Sequence, residues 1–168
     1  MTDLPFRHSC RGLLVSDGRI LLAQHLIRGE SSVWVGPGGG VEAGESLIDA
    51  LTRELHEETG LQISEEHAPQ LVWVQTAEFS EMRVHGYAGV INHYFLIDVE
   101  PFAPASGVGV GAAGHPKNEG ILDQRWWTIS EIEAAHSAGV LFSPRDLPRR
   151  LRTLFCDGPP SSAIPIGL

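Results

Sequence analysis

Six of the 23 residues from Gly39 to Leu61 are carboxylates: Glu42, Glu45, Asp49, Glu54, Glu57 and Glu58. The last three are spaced three and four residues from Glu54, so on a helix they share an arc of roughly 100°. Like charges at that spacing cost about 0.2–0.5 kcal/mol per pair, and more when partly buried. Acids in a last helical turn also oppose the helix dipole. Arg53, four residues before Glu57, relieves part of this repulsion. A divalent cation relieves more, and an all-oxygen donor set suits Mg²⁺ or Mn²⁺ rather than a thiophilic metal. Helix geometry alone leaves two readings level, a metal site and a solvated acidic face.

The run before the acids, GPGGGVEAG over residues 36–44, has five glycines. It is expected to lie outside regular elements and to bring backbone amides and carbonyls close to the helix. It lacks the Gly-Lys-Ser/Thr ending of a phosphate-binding P-loop, and no dinucleotide-binding GxGxxG follows a convincing strand. No Gly-x-Ser-x-Gly elbow occurs, and Ser143, Arg145 and Asp146 form no triad with a histidine. His25, His85, His93 and His115 are scattered, without zinc-ligand spacing.

The elements that must position these residues are readable. Asp17-Gly18 between RGLLVS (11–16) and RILLAQHL (19–26) predicts a hairpin. Val33–Val35 is a short strand. Ser46 to Thr59 is the clearest helix: Leu47, Ile48, Leu51 and Leu55 recur at helical spacing, Ser46 and Asp49 suggest a capping box, and Gly60 offers a left-handed exit. Strands are expected at 70–79, 90–99 and 121–128, the last with Trp126 and Trp127 on opposite faces. Helices follow at 130–137, with Ser130 and Glu133 as the cap pair, and at 144–155. Pro101 to Lys117 reads as a loop with few large side chains to pin it, the candidate for a lid or for disorder. Residues 1–156 are read as one domain and 157–168 as an irregular tail. Short strands with separate helices indicate an α/β or α+β class.

Composition bounds the rest. In 168 residues there are 12 Lys+Arg against 21 Asp+Glu, a formal charge of −9. That charge argues against binding polymeric nucleic acid, while acidic clusters that hold cations leave a small phosphorylated substrate open. No run of 18 apolar residues suggests a membrane span. Two cysteines, Cys10 and Cys156, are too few for a disulfide framework and read as buried thiols. The acidic chain without a signal segment suits the cytoplasm, and composition leaves monomer and homodimer both open.

Taken together, Gly39, Glu45, Arg53, Glu54, Leu55, Glu57, Glu58, Gly60 and Leu61 resemble the signature box of the Nudix hydrolases (MutT-like). The spacing is Gly, five residues, Glu, seven residues, Arg-Glu-aliphatic-x-Glu-Glu-x-Gly-aliphatic. The resemblance implies an α/β fold, an α/β/α sandwich with a mixed central sheet. It implies Mg²⁺ or Mn²⁺ as cofactor, held chiefly by Glu54, Glu57 and Glu58, with the Gly38 carbonyl as a weaker candidate. Arg53 would orient a glutamate, Glu45 would tie the loop to the helix, and Gly39 and Gly60 would allow the turns. The implied reaction is hydrolysis of a phosphoanhydride bond in a nucleotide or nucleoside-diphosphate derivative. The alternative is a catalytically weak Nudix-like nucleotide-binding or regulatory module, and a third, lower-ranked reading is chemistry on an isoprenoid diphosphate.

Outside the box, Glu119 is the best candidate for a base or further ligand, against a plain ion pair with Lys117; Asp123 ranks below it. Trp34 is open between stacking on a base and anchoring the core. His93 can reach a pocket from its strand. Arg7, Arg11 and Arg28 can meet phosphates, with surface pairing as the default.

Overall fold

The computed structural model describes residues 3–168. Asp17 and Gly18 both take positive φ, 48° and 72°, the conformation a tight hairpin turn demands. They join β1 (Phe6–Ser16) to β2 (Arg19–Leu26). These strands pair beside the turn, Val15 with Ile20 and Ser16 with Arg19. Beyond that, β2 continues with β3 (Ser32–Val35) and β7 (Ile121–Thr128), while β1 takes β4 (Gly38–Gly40) as an antiparallel neighbour.

A strand made of Gly38, Gly39 and Gly40 corrects the expectation that the glycine run lies outside regular structure. Glycine is needed there because of what crowds it. A Cβ on Gly38 would meet the Cys10 carbonyl, one on Gly39 the Glu54 carboxylate, and one on Gly40 the Arg7 guanidinium. Absence of side chains lets β4 lie between β1 and the acidic helix.

On the other side β1 runs parallel to β6 (Gly89–Asp98), which pairs antiparallel with β5 (Gln70–Glu78). The final residues add β8 (Ile164–Ile166) parallel to β5, so the tail expected to be irregular contributes an edge strand. The result is a mixed sheet between two helical layers, an α/β/α sandwich. Period-two alternation on β1 serves both layers. Cys10 and Leu14 pack under α1 (Leu47–Thr59) with Leu51 and Leu55; Leu13 and Val15 join Ile132, Leu147 and Leu151 on the opposite face. That second layer is α2 (Ile129–Ser137) and α3 (Leu147–Asp157). Among the described residues no helix is long and apolar enough to cross a membrane.

Ser46 and Asp49 form the reciprocal capping box of α1, and Gly60 ends it at φ 78°. Ile48, expected on the apolar stripe, is exposed. The α2 cap is Thr128 with Glu131, two residues earlier than Ser130 and Glu133, because β7 feeds straight into the helix. α3 starts at Leu147 rather than Pro144, with Pro148 in the first turn where its missing N–H is no loss. Trp127 is buried with α2 and α3, while Trp126 packs edge-on against Phe102 on the other face. Cys10 is buried and Cys156 exposed, both free. The loop expected to lack anchors is fastened by its backbone: Ala105 N–H donates to Thr59 O and Gly107 N–H to His56 O, at 3.0 and 2.9 Å. It thereby gives the Thr59 carbonyl at the end of α1 a partner and adds a second donor to the His56 carbonyl, which already accepts the Gly60 N–H.

Candidate active site

The acidic face of α1 opens onto a cleft of about 340 Å³. Glu54, Glu57 and Glu58 form one wall and β4 the next. Arg7, Ser9 and Arg11, alternating along β1, face them, and Glu119 closes the cleft from the segment before β7. Ala113 and Gly114 of the long loop complete it; a Cβ on Gly114 would strike the Glu57 carboxylate.

Glu58 is 2% exposed. Its Oε2 accepts the Gly38 N–H at 3.0 Å. Burial pushes its carboxyl up to about 8; Glu54 and Glu119 add to the rise, while Arg11 and the Gly38 N–H oppose it. Burial also raises Glu54, against the pull of Arg53. A carboxylate kept in a dry pocket among other carboxylates is costly without a counter-charge.

Arg53 is the organiser. Its Nε and Nη2 donate to the two oxygens of Glu45 at 2.7 and 2.9 Å, and Nη2 also reaches the Gly40 carbonyl at 2.9 Å. Nη1 donates to Glu54 at 2.8 Å and Glu57 at 3.3 Å. One cation thus serves three carboxylates. Glu45, held mainly by these hydrogen bonds, drops to about 2, and it accepts the Glu42 N–H, closing its own loop at 2.9 Å. A Cβ on Gly60 would meet the Ala105 carbonyl, so the exit from α1 and the long loop approach closely.

The structure brings Arg53, Glu54, Glu57, Glu58, Glu119, Gly38 and Gly39 to one cleft together with Arg7 and Arg11, whereas Trp34, Arg28, His93 and Asp123 lie outside it. The Gly38 carbonyl accepts Arg11 Nη1 at 2.8 Å, so the group considered as a metal ligand is already engaged. Trp34 is 7% exposed and sits edge-on to Trp127 in the core; its ring is the anchor, away from the cleft. Arg28 is exposed and paired with Glu81. His93 stacks on His8 and lines a neighbouring groove with Phe6 and Tyr87. Asp123 accepts the N–H of the next residue, Gln124.

Sequence reasoning missed Ser9 and Gln124, weighed His25 only as a zinc ligand, and undervalued Arg7 and Arg11. The signal for Arg7, Ser9 and Arg11 was their alternation along the first half of β1, ahead of Leu13 and Val15 at the same parity. Gln124 Nε2 donates to the Glu58 carbonyl at 2.8 Å. His25 lines the cleft, and burial, aided by Arg11, holds its imidazole down at about 4.

The donor chemistry fits a hard divalent cation: oxygen donors, excess negative charge and a buried carboxylate with a single N–H on it. Among the described residues, however, no three His, Cys, Asp or Glu side chains converge as a ligand set. Arg53 holds oxygens of Glu54 and Glu57 that coordination would have to share.

Comparison with known proteins places the chain in a family. A family model described as the NUDIX domain matches residues 6–144. The Nudix hydrolase YvcI of Bacillus subtilis is 45% identical over 64 residues, covering 38% of this chain and 37% of its own. The phosphatase NudJ of Escherichia coli K12 is 38% identical over 118 residues, covering 70% of this chain and 65% of its own. The match therefore spans less than two thirds of either relative. The crystal structure of a MutT protein from Methanosarcina mazei Go1 superposes with a TM-score of 0.64 at 21% identity, covering 93% of this chain and 99% of that one.

Proposed function

Because the chain belongs to the Nudix hydrolase family, we propose that it hydrolyses a phosphoanhydride bond of a nucleotide or nucleoside-diphosphate derivative, assisted by Mg²⁺ or Mn²⁺. One observation carries this reading: five carboxylates, Glu42, Glu54, Glu57, Glu58 and Glu119, and three arginines, Arg7, Arg11 and Arg53, line a single cleft.

Glu54, Glu57 and Glu58 would hold the cation, which when bound offsets phosphate charge and lowers the pKa of water. Arg7 and Arg11 would pair with phosphate oxygens, where charge-assisted hydrogen bonds are strongest. Glu119, on the opposite wall, is the candidate to take a proton from the attacking water. The water oxygen bonds to phosphorus as the bridging P–O bond breaks, and the departing phosphate keeps that electron pair. Arg53 acts indirectly, holding Glu54 and Glu57 in place against their mutual repulsion. Ala113 and Gly114 over Glu57 help exclude bulk water from the charged groups.

The test is a panel of nucleotides and nucleoside-diphosphate derivatives incubated with Mg²⁺, with the products identified. Release of a nucleoside monophosphate with phosphate, pyrophosphate or another phosphorylated product is expected. Glu57→Gln should lower the rate at least about 100-fold, the scale of losing a group that stabilises transition-state charge, while keeping the fold. An equally active variant would overturn the assignment.

The absence of a converged ligand set among the described residues favours one second reading, a module that binds nucleotide and turns it over weakly. Tight binding without product across Mg²⁺ and Mn²⁺ is its signature.

A further inference from the structure

A second cavity lies on the other helical layer, between α3 and the returning tail, and shares no lining residue with the carboxylate cleft. Its volume is about 330 Å³, within the range of small-molecule sites. Trp73, Leu154 and Ile164 give it an apolar floor, and Pro159-Pro160 forms a stiff wall. Trp73 and Leu154 are buried, at 3% and 5% exposure, yet both contribute to this lining.

The charges at its rim are separated by sign. Arg149 and Arg150 stand at one end and Asp157 at the other. Arg150 and Asp157 are seven residues apart on α3, which at about 1.5 Å per residue places them about 10 Å apart along the helix. Asp146 is shared by both arginines, through Arg149 Nη2 at 2.6 Å and Arg150 Nε at 2.7 Å. One carboxylate therefore faces two guanidiniums. Among the described residues the Arg150 Nη groups make no hydrogen bond, so a planar donor pair remains available at the rim. In a chain of net charge −9, four of the 12 Lys+Arg residues fall between Arg145 and Arg152.

These features suit an occupant with an apolar body, an anion at one end and a hydrogen-bond donor about 10 Å away. We propose that this cavity binds a nucleoside monophosphate carrying an exocyclic amine. The phosphate would sit at Arg149 and Arg150, the base over Trp73 and the amine toward Asp157. The site is independent of the hydrolytic cleft, and its occupancy does not depend on turnover there.

The experiment uses the full chain labelled with ¹⁵N in a metal-free buffer, which withholds the cation that would help the acidic cleft hold a phosphate. The indole N–H signal of Trp73, assigned with Trp73→Phe, is followed while AMP, IMP, adenosine and ribose 5-phosphate are added separately. AMP should shift it saturably. Adenosine, lacking the phosphate, and IMP, lacking the amine, should each bind about tenfold more weakly or worse, and ribose 5-phosphate should leave the indole signal in place. Thr153 is exposed at the cavity wall, so Thr153→Trp fills the space without touching the core. It should abolish the AMP shift while thermal stability and Mg²⁺-dependent hydrolysis stay as in the parent. No shift with AMP, equal affinity for adenosine and AMP, or undiminished AMP binding by a folded Thr153→Trp chain would each overturn the proposal.

Discussion

Two helices of this molecule carry arginines beside carboxylates, and they use them in opposite ways. On α3, Asp146 is half exposed and shared by Arg149 and Arg150, while Arg152 meets Glu133 of α2 on the surface. On α1, a single Arg53 at 24% side-chain exposure serves Glu45, Glu54 and Glu57, and Glu58 beside them is buried with no cation in contact. The first pattern is what a solvated helix face tolerates at small cost. The second crowds carboxyl groups into a dry place with one arginine in direct contact, and burial raises two of them, Glu54 and Glu58, the pattern that singles out a candidate functional site.

The comparison can be broken by removing its cations in turn. Arg53→Ala should be the most damaging, because three carboxylates lose one partner and one another's repulsion is released. A loss of about 2–3 kcal/mol is expected, allowing for partial exposure. Urea denaturation checks this, and Arg53→Lys should recover little, since an ammonium cannot reproduce the two-pronged grip on Glu45.

A smaller effect belongs to His25. Its folded-state pKa, about 4, lies below the ordinary value of 6.5, so the unfolded chain binds the proton first as pH falls. The neutral imidazole's contribution is complete above pH 6.5, is lost as pH drops toward 4, and levels off below that. Parent stability relative to His25→Asn should therefore fall between pH 6.5 and 4, by on the order of 1 kcal/mol. Denaturation curves across that window check the sign. The smallest change is Arg152→Ala on the opposite layer: the pair with Glu133 is half exposed, and the midpoint of the same urea experiment should move least of the three.

Legibility in the sequence followed the range of the interactions. The β1–β2 turn, the caps of α1 and the three helix glutamates depend on neighbours within a few residues, and all were readable. Glu119 was legible as a candidate because it stands just before a recognisable strand. What was hidden depends on contacts between distant segments. β4 is a strand because Cys10, Glu54 and Arg7 leave no room for side chains at Gly38, Gly39 and Gly40. The long loop is anchored through backbone N–H groups that its composition does not reveal. Trp34 could not be placed from its type, since an aromatic ring suits a core as well as a ligand; Phe142 and Trp127 decided it. The burial of Glu58, the feature with the most chemical consequence, follows from packing alone.

The central claim is that Glu58 and its neighbours are kept at a cost in stability because a hard cation belongs among them. Thermal unfolding of the parent and of Glu58→Gln, each with and without Mg²⁺ at neutral pH, tests it most directly. Without Mg²⁺ the variant should be at least as stable as the parent, and Mg²⁺ should raise the melting temperature of the parent well beyond that of the variant. A parent whose melting temperature ignores Mg²⁺, or a variant that responds to it equally, would contradict the account.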